Sequence, residues 1–156
     1  MHILSFCVKI YLYCEFGIIY KQEGIMISTK GRYALRVMID LAGQKEDTFV
    51  PLHDIALRQG ISEKYLEIII KTLVRNKMVK GHRGKGGGYM LSRKPEEYTV
   101  WEILDCTEEN LAPVACLAKN AELCPRKDEC KTIGLWEGYD NMTREYFEQF
   151  TLKDML

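Results

Sequence analysis

Three cysteines lie close together in the second half of the chain, in the stretch CLAKNAELCPRKDEC. Cys116, Cys124 and Cys130 are separated by seven and then by five residues, without the paired C-x2-C spacing of structural zinc sites. Thiolates are soft ligands that suit iron–sulfur clusters or zinc, and three of them leave one coordination position to be filled from elsewhere. The spacing favours an iron–sulfur cluster over zinc or another metal, and thiol chemistry without a metal is a further alternative.

The other cysteines carry less weight. Cys106 lies on a predicted amphipathic helix and is expected to be a small core residue, while Cys7 and Cys14 lie in an apolar leading segment. Six cysteines in a chain with no recognisable export signal are typical of a reducing compartment, in which thiols bind metals or do redox chemistry. A cytoplasmic location is therefore expected.

The formal net charge of zero is the sum of two opposite halves. Residues 26–94 carry 14 Lys and Arg against 6 Asp and Glu, whereas residues 95–156 carry 6 against 14. A balance of +8 followed by −8 predicts that the first half binds a polyanion and that the second half avoids one.

Helical periodicity locates the elements of the basic half. A first helix is predicted over residues 28–43, a short second helix from Pro51 to Arg58 or Gln59, and a third over residues 62–76. Gly60 ends the second helix, Ile61 fills the turn that follows, and Ser62 caps the third helix. This pattern predicts a helix-turn-helix whose third helix buries Leu66, Ile69, Ile70, Leu73 and Val74.

A glycine-rich hairpin follows the three helices. Two strand-like runs, residues 78–80 and 89–91, flank the loop GHRGKGGG, whose glycines permit positive φ angles. In this position a hairpin forms a wing. The loop matches neither G-x-x-x-x-G-K-[ST] nor G-x-G-x-x-G, so a nucleotide-phosphate cradle is disfavoured.

The polyanion predicted for the basic half is double-stranded DNA. In a helix-turn-helix the second helix of the pair enters the major groove, and an arginine on a wing suits a narrow, A·T-rich minor groove. Glu67 has the chemistry to accept from a cytosine amine, although these side chains would also suit an ordinary solvated helix face. The predicted DNA-binding residues are Lys30, Arg32, Ser62, Lys64, Tyr65, Glu67, Lys71, Arg75, His82, Arg83 and Lys85.

A short helix from Thr99 to Thr107, with Val100, Ile103 and Leu104 inward, precedes the cysteine loop, and a long final helix is predicted from about Thr132 to Phe150. The final helix carries an aromatic-rich stripe that no later element can cover. We expect the stripe to form a homodimer interface, with packing against the chain's own first helix as the alternative. The predicted interface residues are Leu135, Trp136, Tyr139, Met142, Tyr146, Phe147 and Phe150.

The leading segment MHILSFCVKIYLYCEFGIIY is apolar, but Lys9 and Glu15 interrupt it and no small-residue cleavage site follows. A membrane role is disfavoured because charges inside such a run are costly in lipid. The codons of residues 22–24 can contain a purine run typical of a bacterial ribosome-binding site, just ahead of Met26. We therefore expect translation to start at Met26 and residues 1–25 to be an annotation artefact.

These motifs together resemble a known family. The stretches MISTKGRYALRVMIDLA, ISEKYLEIIIKTLVRNKMV and RGKGGGY, the three cysteines followed by CKTIGLW, and the ending FTLKDML resemble the IscR/NsrR/CymR (Rrf-type) family of bacterial winged-helix transcriptional regulators. The resemblance covers residues 26–156. It implies a homodimer joined through the final helix, a palindromic operator, and a labile 2Fe-2S or 4Fe-4S cluster held by Cys116, Cys124 and Cys130.

The chain departs from the family pattern at the fourth ligand. Ile133 stands where IscR-like members have a histidine, and Tyr33 stands where NsrR-like members have an acidic ligand from the partner subunit. The loop between the first two cysteines is also two residues longer than in the IscR pattern. The fourth ligand is therefore unassigned, and a 2Fe-2S cluster is favoured over a 4Fe-4S cluster.

The predicted protein is mainly α-helical with a small β-hairpin. A winged helix-turn-helix domain at residues 26–95 precedes a linker helix and cysteine loop at 96–131 and a dimerisation helix with its tail at 132–156. The leading hypothesis is a DNA-binding regulator that senses cluster, redox or nitrosative status through its cysteines. The alternatives are a cluster-free repressor that responds to thiol state or to a partner protein, and an enzyme or electron carrier, which the absence of a paired acid and base or a substrate motif disfavours.

Overall fold

The computed structural model describes residues 27–45 and 47–156, so the predictions for residues 1–25 and for Met26 lie outside the described residues. The described residues form five α-helices and a two-stranded antiparallel sheet, which confirms the predicted fold class. Short 3₁₀ turns occur in the connections and near the end of the chain. The elements in chain order are α1 (Thr29–Ala42), α2 (Leu52–Gln59), α3 (Glu63–Arg75), β1 (Val79–His82), β2 (Gly88–Leu91), α4 (Val100–Thr107) and α5 (Ile133–Glu148).

The helix boundaries follow from local capping. Ser28, Ser62 and Thr99 lie just before α1, α3 and α4, and each side chain accepts a hydrogen bond from a backbone amide in the first turn. Gly60 ends α2 in the left-handed conformation, with φ of 64°. Ile61 is buried in the turn that follows, as predicted.

One face each of α1, α2, α3 and α4 contributes to the core. The buried side chains of α3 are Leu66, Ile69, Ile70 and Leu73, as the helical spacing predicts. The prediction for Val74 was wrong, because this residue is 40% exposed. It lies one position beyond Leu73, at the edge of the buried stripe, where the helix turns its surface toward solvent.

The hairpin pairs Val79 with Leu91 and His82 with Gly88. Toward the loop, β1 extends two residues beyond its predicted end and β2 begins one residue before its predicted start. Val50 joins the sheet from the α1–α2 connection. Its amide donates to the Tyr89 carbonyl at 2.9 Å and its carbonyl accepts from the Tyr89 amide at 2.8 Å. This pairing attaches the wing to the body of the domain.

Tyr98 anchors the base of the wing from the other side. Its ring is completely buried, and its hydroxyl donates to the Met78 carbonyl at 2.8 Å. The same oxygen accepts from the amides of Ser92 and Arg93 at 2.9 and 2.7 Å. The Arg93 guanidinium lies 4.3 Å from the centre of the Tyr98 ring, so the chain on both flanks of the hairpin is fixed to one side chain.

The end of the chain returns to the core. Helix α5 ends at Glu148, two residues before the predicted end, because the Phe150 carbonyl accepts from the Val100 amide at 2.9 Å and leaves the helical path. Thr151 then pairs with Thr99, and Leu152 is completely buried. The C-terminal tail is therefore part of the winged-helix core.

Within the described ranges, none of the helices has the length and apolar character needed to cross a membrane.

Candidate nucleic-acid interface and cysteine site

Polar contacts fix the two helices of the helix-turn-helix against α1. The Asp40 carboxylate accepts two hydrogen bonds from the Arg58 guanidinium, at 2.9 and 2.7 Å, and one from Gln59 at 3.0 Å. Burial raises the pKa of Asp40, but the hydrogen bonds from Arg58 and Gln59 outweigh it, so the pKa lies below its ordinary value. Arg36 also donates to the Gln59 side chain and carbonyl, which satisfies the carboxyl end of α2.

The DNA-binding residues predicted between Ser62 and Arg75 lie on α3 or at its cap, and the structure gives them different environments. Lys64, Glu67, Lys71 and Arg75 are exposed, and Lys71 lies 3.6 Å from Glu67 in an ion pair one turn apart. Tyr65 is half-buried, with its ring edge-on to Tyr33 at 6.0 Å. Ser62 is exposed and caps the helix.

The two cations predicted at the start of α1 have different environments. Arg32 is exposed and donates to the Thr29 hydroxyl at 3.1 Å. Lys30 is half-buried, and its charge offsets a small part of the rise in the pKa of Cys106 that burial causes, so its ammonium group lies on the side of α4. Lys30 therefore lies between the basic body and the acidic part of the chain.

The wing presents Arg83 and Lys85 at its exposed tip. Gly84, Gly86 and Gly88 have φ angles of 97°, 74° and 154°, which side-chain-bearing residues rarely adopt. At the base of the loop the His82 ring lies against Phe49, with ring centres 5.4 Å apart.

The three predicted cysteine ligands line a single cavity of about 260 Å³. The loop that forms it lies between α4 and α5, so the cavity adjoins the segment that leads from the winged-helix body to the final helix. Glu122 and Ile133, the residue at the family's histidine position, line the same cavity. Its other lining residues are Leu117, Ala118, Ala121, Leu123 and Lys127.

The loop is attached to the winged-helix body at two points. The Lys119 ammonium lies 2.6 Å from the Asp105 carboxylate and also donates to the Asp105 carbonyl at 3.2 Å. Glu108, at the end of α4, accepts from the Ser28 amide and hydroxyl, each at 2.9 Å. A carboxylate at the amino end of α1 also interacts favourably with the helix dipole.

The thiols differ in their readiness to ionise. Hydrogen bonds from the side chain and backbone of Thr132 lower the pKa of Cys130, whose sulfur lies 3.6 Å from the Thr132 hydroxyl. Burial, helped by Asp105, raises the pKa of Cys106 to about 11. Cys106 packs against the core, as expected from its helical position, and its environment disfavours the thiolate that metals and oxidants require.

The donor set suits a thiophilic metal or cluster, because three thiols share one cavity and one of them is a favoured thiolate. Among the described residues, however, no three His, Cys, Asp or Glu side chains lie close enough together to hold a metal ion. Binding by all three thiols therefore requires the loop to contract around its ligand.

The aromatic stripe of α5 is largely uncovered in the single chain. Leu135, Trp136, Tyr139, Met142 and Tyr146 are exposed. Phe147 and Phe150 are half-buried, and the rings of Tyr146 and Phe150 lie 5.2 Å apart. The helix packs against α4, and Arg144 lies 5.8 Å from the centre of the Trp101 ring.

Sequence reasoning missed several residues that position these surfaces. Tyr98 acts through its hydroxyl, Val50 through backbone pairing and Leu152 through its buried side chain, and no local pattern reveals these long-range contacts. Ile68 was also missed, although a signal existed. Its helical spacing from Lys64 and Arg75 puts it on the exposed face of α3, where it is 49% exposed.

Comparisons with known proteins agree with this geometry. The family model described as "Rrf2: Iron-dependent Transcriptional regulator" matches residues 27–156. The HTH-type transcriptional regulator IscR of Cronobacter sakazakii is 35% identical over 130 residues, which cover 83% of this chain and 79% of that protein.

Solved structures give the same result. The global cysteine regulator CymR of B. subtilis is 33% identical, with a TM-score of 0.66 over 83% of this chain and 95% of that one. IscR of T. potens is 34% identical, with a TM-score of 0.65 over 83% and 85% of the two chains. These relatives are named as regulators and not as enzymes. The chain therefore belongs to the Rrf2 family of DNA-binding transcriptional regulators.

Proposed function

We propose that the protein is a cytoplasmic homodimer whose affinity for a palindromic operator depends on an iron–sulfur cluster held by Cys116, Cys124 and Cys130. The observation that carries this proposal is the convergence of the three thiols on one cavity between α4 and α5. A bound cluster supplies a group that is sensitive to oxygen, nitric oxide and redox state. A 2Fe-2S cluster is favoured, with Glu122 as an oxygen donor within the cavity.

The loop is suited to transmit its state to the DNA-binding surface. Lys119 and Glu108 attach its first part to α4 and α1, while its last part leads directly into α5. If α5 joins two copies, a change in the loop alters the spacing of the two α3 helices. A ligand shifts such an equilibrium only by binding one arrangement more tightly than the other.

The spectroscopic test uses protein purified without oxygen. The wild-type protein should be coloured, each of Cys116→Ala, Cys124→Ala and Cys130→Ala should bleach it, and Cys106→Ala should retain the colour. Equal operator affinity of the coloured and colourless forms would remove the sensing role, even if the cluster itself were present.

The DNA-binding surface is tested at the wing tip. Replacing the exposed Arg83 with Ala should weaken operator binding by about 1–3 kcal/mol and reduce its salt dependence, because a phosphate or minor-groove contact is lost. Lys153→Ala, a change of the same charge on the C-terminal tail, serves as the control. Equal effects of the two changes would exclude the wing from the interface.

The dimer is tested on α5. Trp136→Glu or Tyr139→Glu should produce monomers in sedimentation, because a charge buried in the apolar interface has no counter-ion there. Leu57→Glu introduces the same charge at an exposed leucine of α2 and should leave the dimer intact. Intact dimers for both α5 variants would rule out this interface.

A cluster-free function is the second candidate. The lowered pKa of Cys130 favours a reactive thiolate, which is the requirement for sensing oxidants directly. Protein that binds its operator, remains colourless without oxygen and loses its response in Cys130→Ser would select this function.

A further inference from the structure

Ile68 is an apolar side chain in an unusual position on α3. It is 49% exposed, whereas its neighbours Ile69 and Ile70 are buried in the core. A β-branched residue at a solvated helix position lowers helix propensity without adding core packing. The folding of the domain therefore gives no reason for an isoleucine at this position.

Three cations share the exposed face of Ile68, and Glu67 lies at the edge of that face in an ion pair with Lys71. Lys64 lies four positions before it, Lys71 three positions after it and Arg75 seven positions after it, so all four side chains share one helix face. That face is exposed and lies opposite the buried stripe of Leu66 and the other core residues of α3. An apolar group is thus enclosed along the helix by positive charges on both sides.

This arrangement matches the major groove of DNA better than a protein surface. Lysine and arginine contact the phosphates at the edges of the groove, while the floor presents base edges and, at each thymine, an apolar C5-methyl group. A single isoleucine between three cations is too small an apolar patch for a stable protein interface, which typically buries about 800 Å² on each partner.

We propose that Ile68 contacts the C5-methyl group of a thymine and thereby selects T at one position in each operator half-site. This inference rests on the proposed operator binding through α3. Leu57 provides the comparison, because it is 75% exposed on α2 but lies one turn from Asp54, whose charge would repel phosphate.

The experiment uses a duplex selected from a randomised library by the wild-type protein. Each thymine is replaced singly by deoxyuridine, which removes only the methyl group, and Kd is measured by fluorescence anisotropy at one salt concentration. For the wild type we expect a loss of about three- to fivefold at one thymine in each half-site, as for one buried methyl group.

The variants assign that loss to the side chain. Ile68→Ala should bind the thymine duplex about as weakly as the wild type binds the deoxyuridine duplex, and should show no further loss on deoxyuridine. Leu57→Ala should keep the wild-type sensitivity. The inference is overturned if no thymine is sensitive in the wild type, or if Ile68→Ala keeps the sensitivity. Failure to select any preferred duplex would instead refute the proposed function.

Discussion

Replacing Tyr98 with phenylalanine tests how the wing is attached. The change removes one oxygen and leaves the completely buried ring in place. Three hydrogen bonds are lost, those with the Met78 carbonyl and with the amides of Ser92 and Arg93, at 2.7 to 2.9 Å. The cation–π contact of Arg93 with the ring is retained.

The three lost bonds do not contribute equally to the free energy of unfolding. The Ser92 amide also donates to the Met78 carbonyl at 3.2 Å, so these two groups keep each other as partners. The Arg93 amide loses its bond to the hydroxyl and must find water. With a net value of about 1 kcal/mol for each typical hydrogen bond, and partial compensation at Ser92, we expect a loss of about 2 kcal/mol.

Urea unfolding at one fixed protein concentration measures this loss, since association would make the apparent stability depend on concentration. Tyr89→Phe is the matched control, because no hydrogen bond of its hydroxyl is found among the described residues. A loss below about 0.5 kcal/mol for Tyr98→Phe, or an equal loss in the control, would refute the anchoring role.

Three further predictions concern acid stability, the wing glycines and thiol reactivity. Because the folded pKa of Asp40 is lowered, its contribution to stability is present above its ordinary value of 3.8 and is lost as the pH falls through the folded value. The free energy of unfolding in urea should therefore fall less between pH 5 and pH 3 for Asp40→Asn than for the wild type. An equal fall in the two proteins would contradict this. Gly88→Ala should lower the free energy of unfolding by more than about 2 kcal/mol, because residue 88 has a positive φ and the added Cβ would clash with the Val50 carbonyl. Gly84→Ala has a positive φ but open space around it, and should lower the free energy of unfolding by about 1 kcal/mol. Equal thermal shifts for the two glycine variants would contradict the steric argument. In metal-free protein at pH 8, iodoacetamide should modify Cys130 well before Cys106, as followed by peptide mass spectrometry, and the reverse order would show that the pKa difference does not control reactivity.

Much of the winged helix-turn-helix was predictable because its signals are local. Serine and threonine caps, the left-handed Gly60 and the helical spacing of apolar residues act within a few positions of the chain. The errors occurred where local spacing competes with distant contacts. Val74 fits a helical stripe but lies at its edge, and Phe150 fits a helix but bonds instead to Val100.

The candidate site likewise combines features that the sequence predicts with features that depend on distant contacts. The residue types of Cys116, Cys124 and Cys130 are sufficient to predict a soft-ligand site, because clustered thiols in one loop have few other uses, and the charge asymmetry is sufficient to predict the basic surface. The sharing of one cavity by the three thiols, and the lowered pKa of Cys130 beside Thr132, depend on the folded arrangement of the loop. The attachment of the wing through Tyr98 and the burial of Leu152 were likewise decided by the fold. These features depend on the free energy of contacts between residues far apart in the chain, which no local pattern of residue types contains.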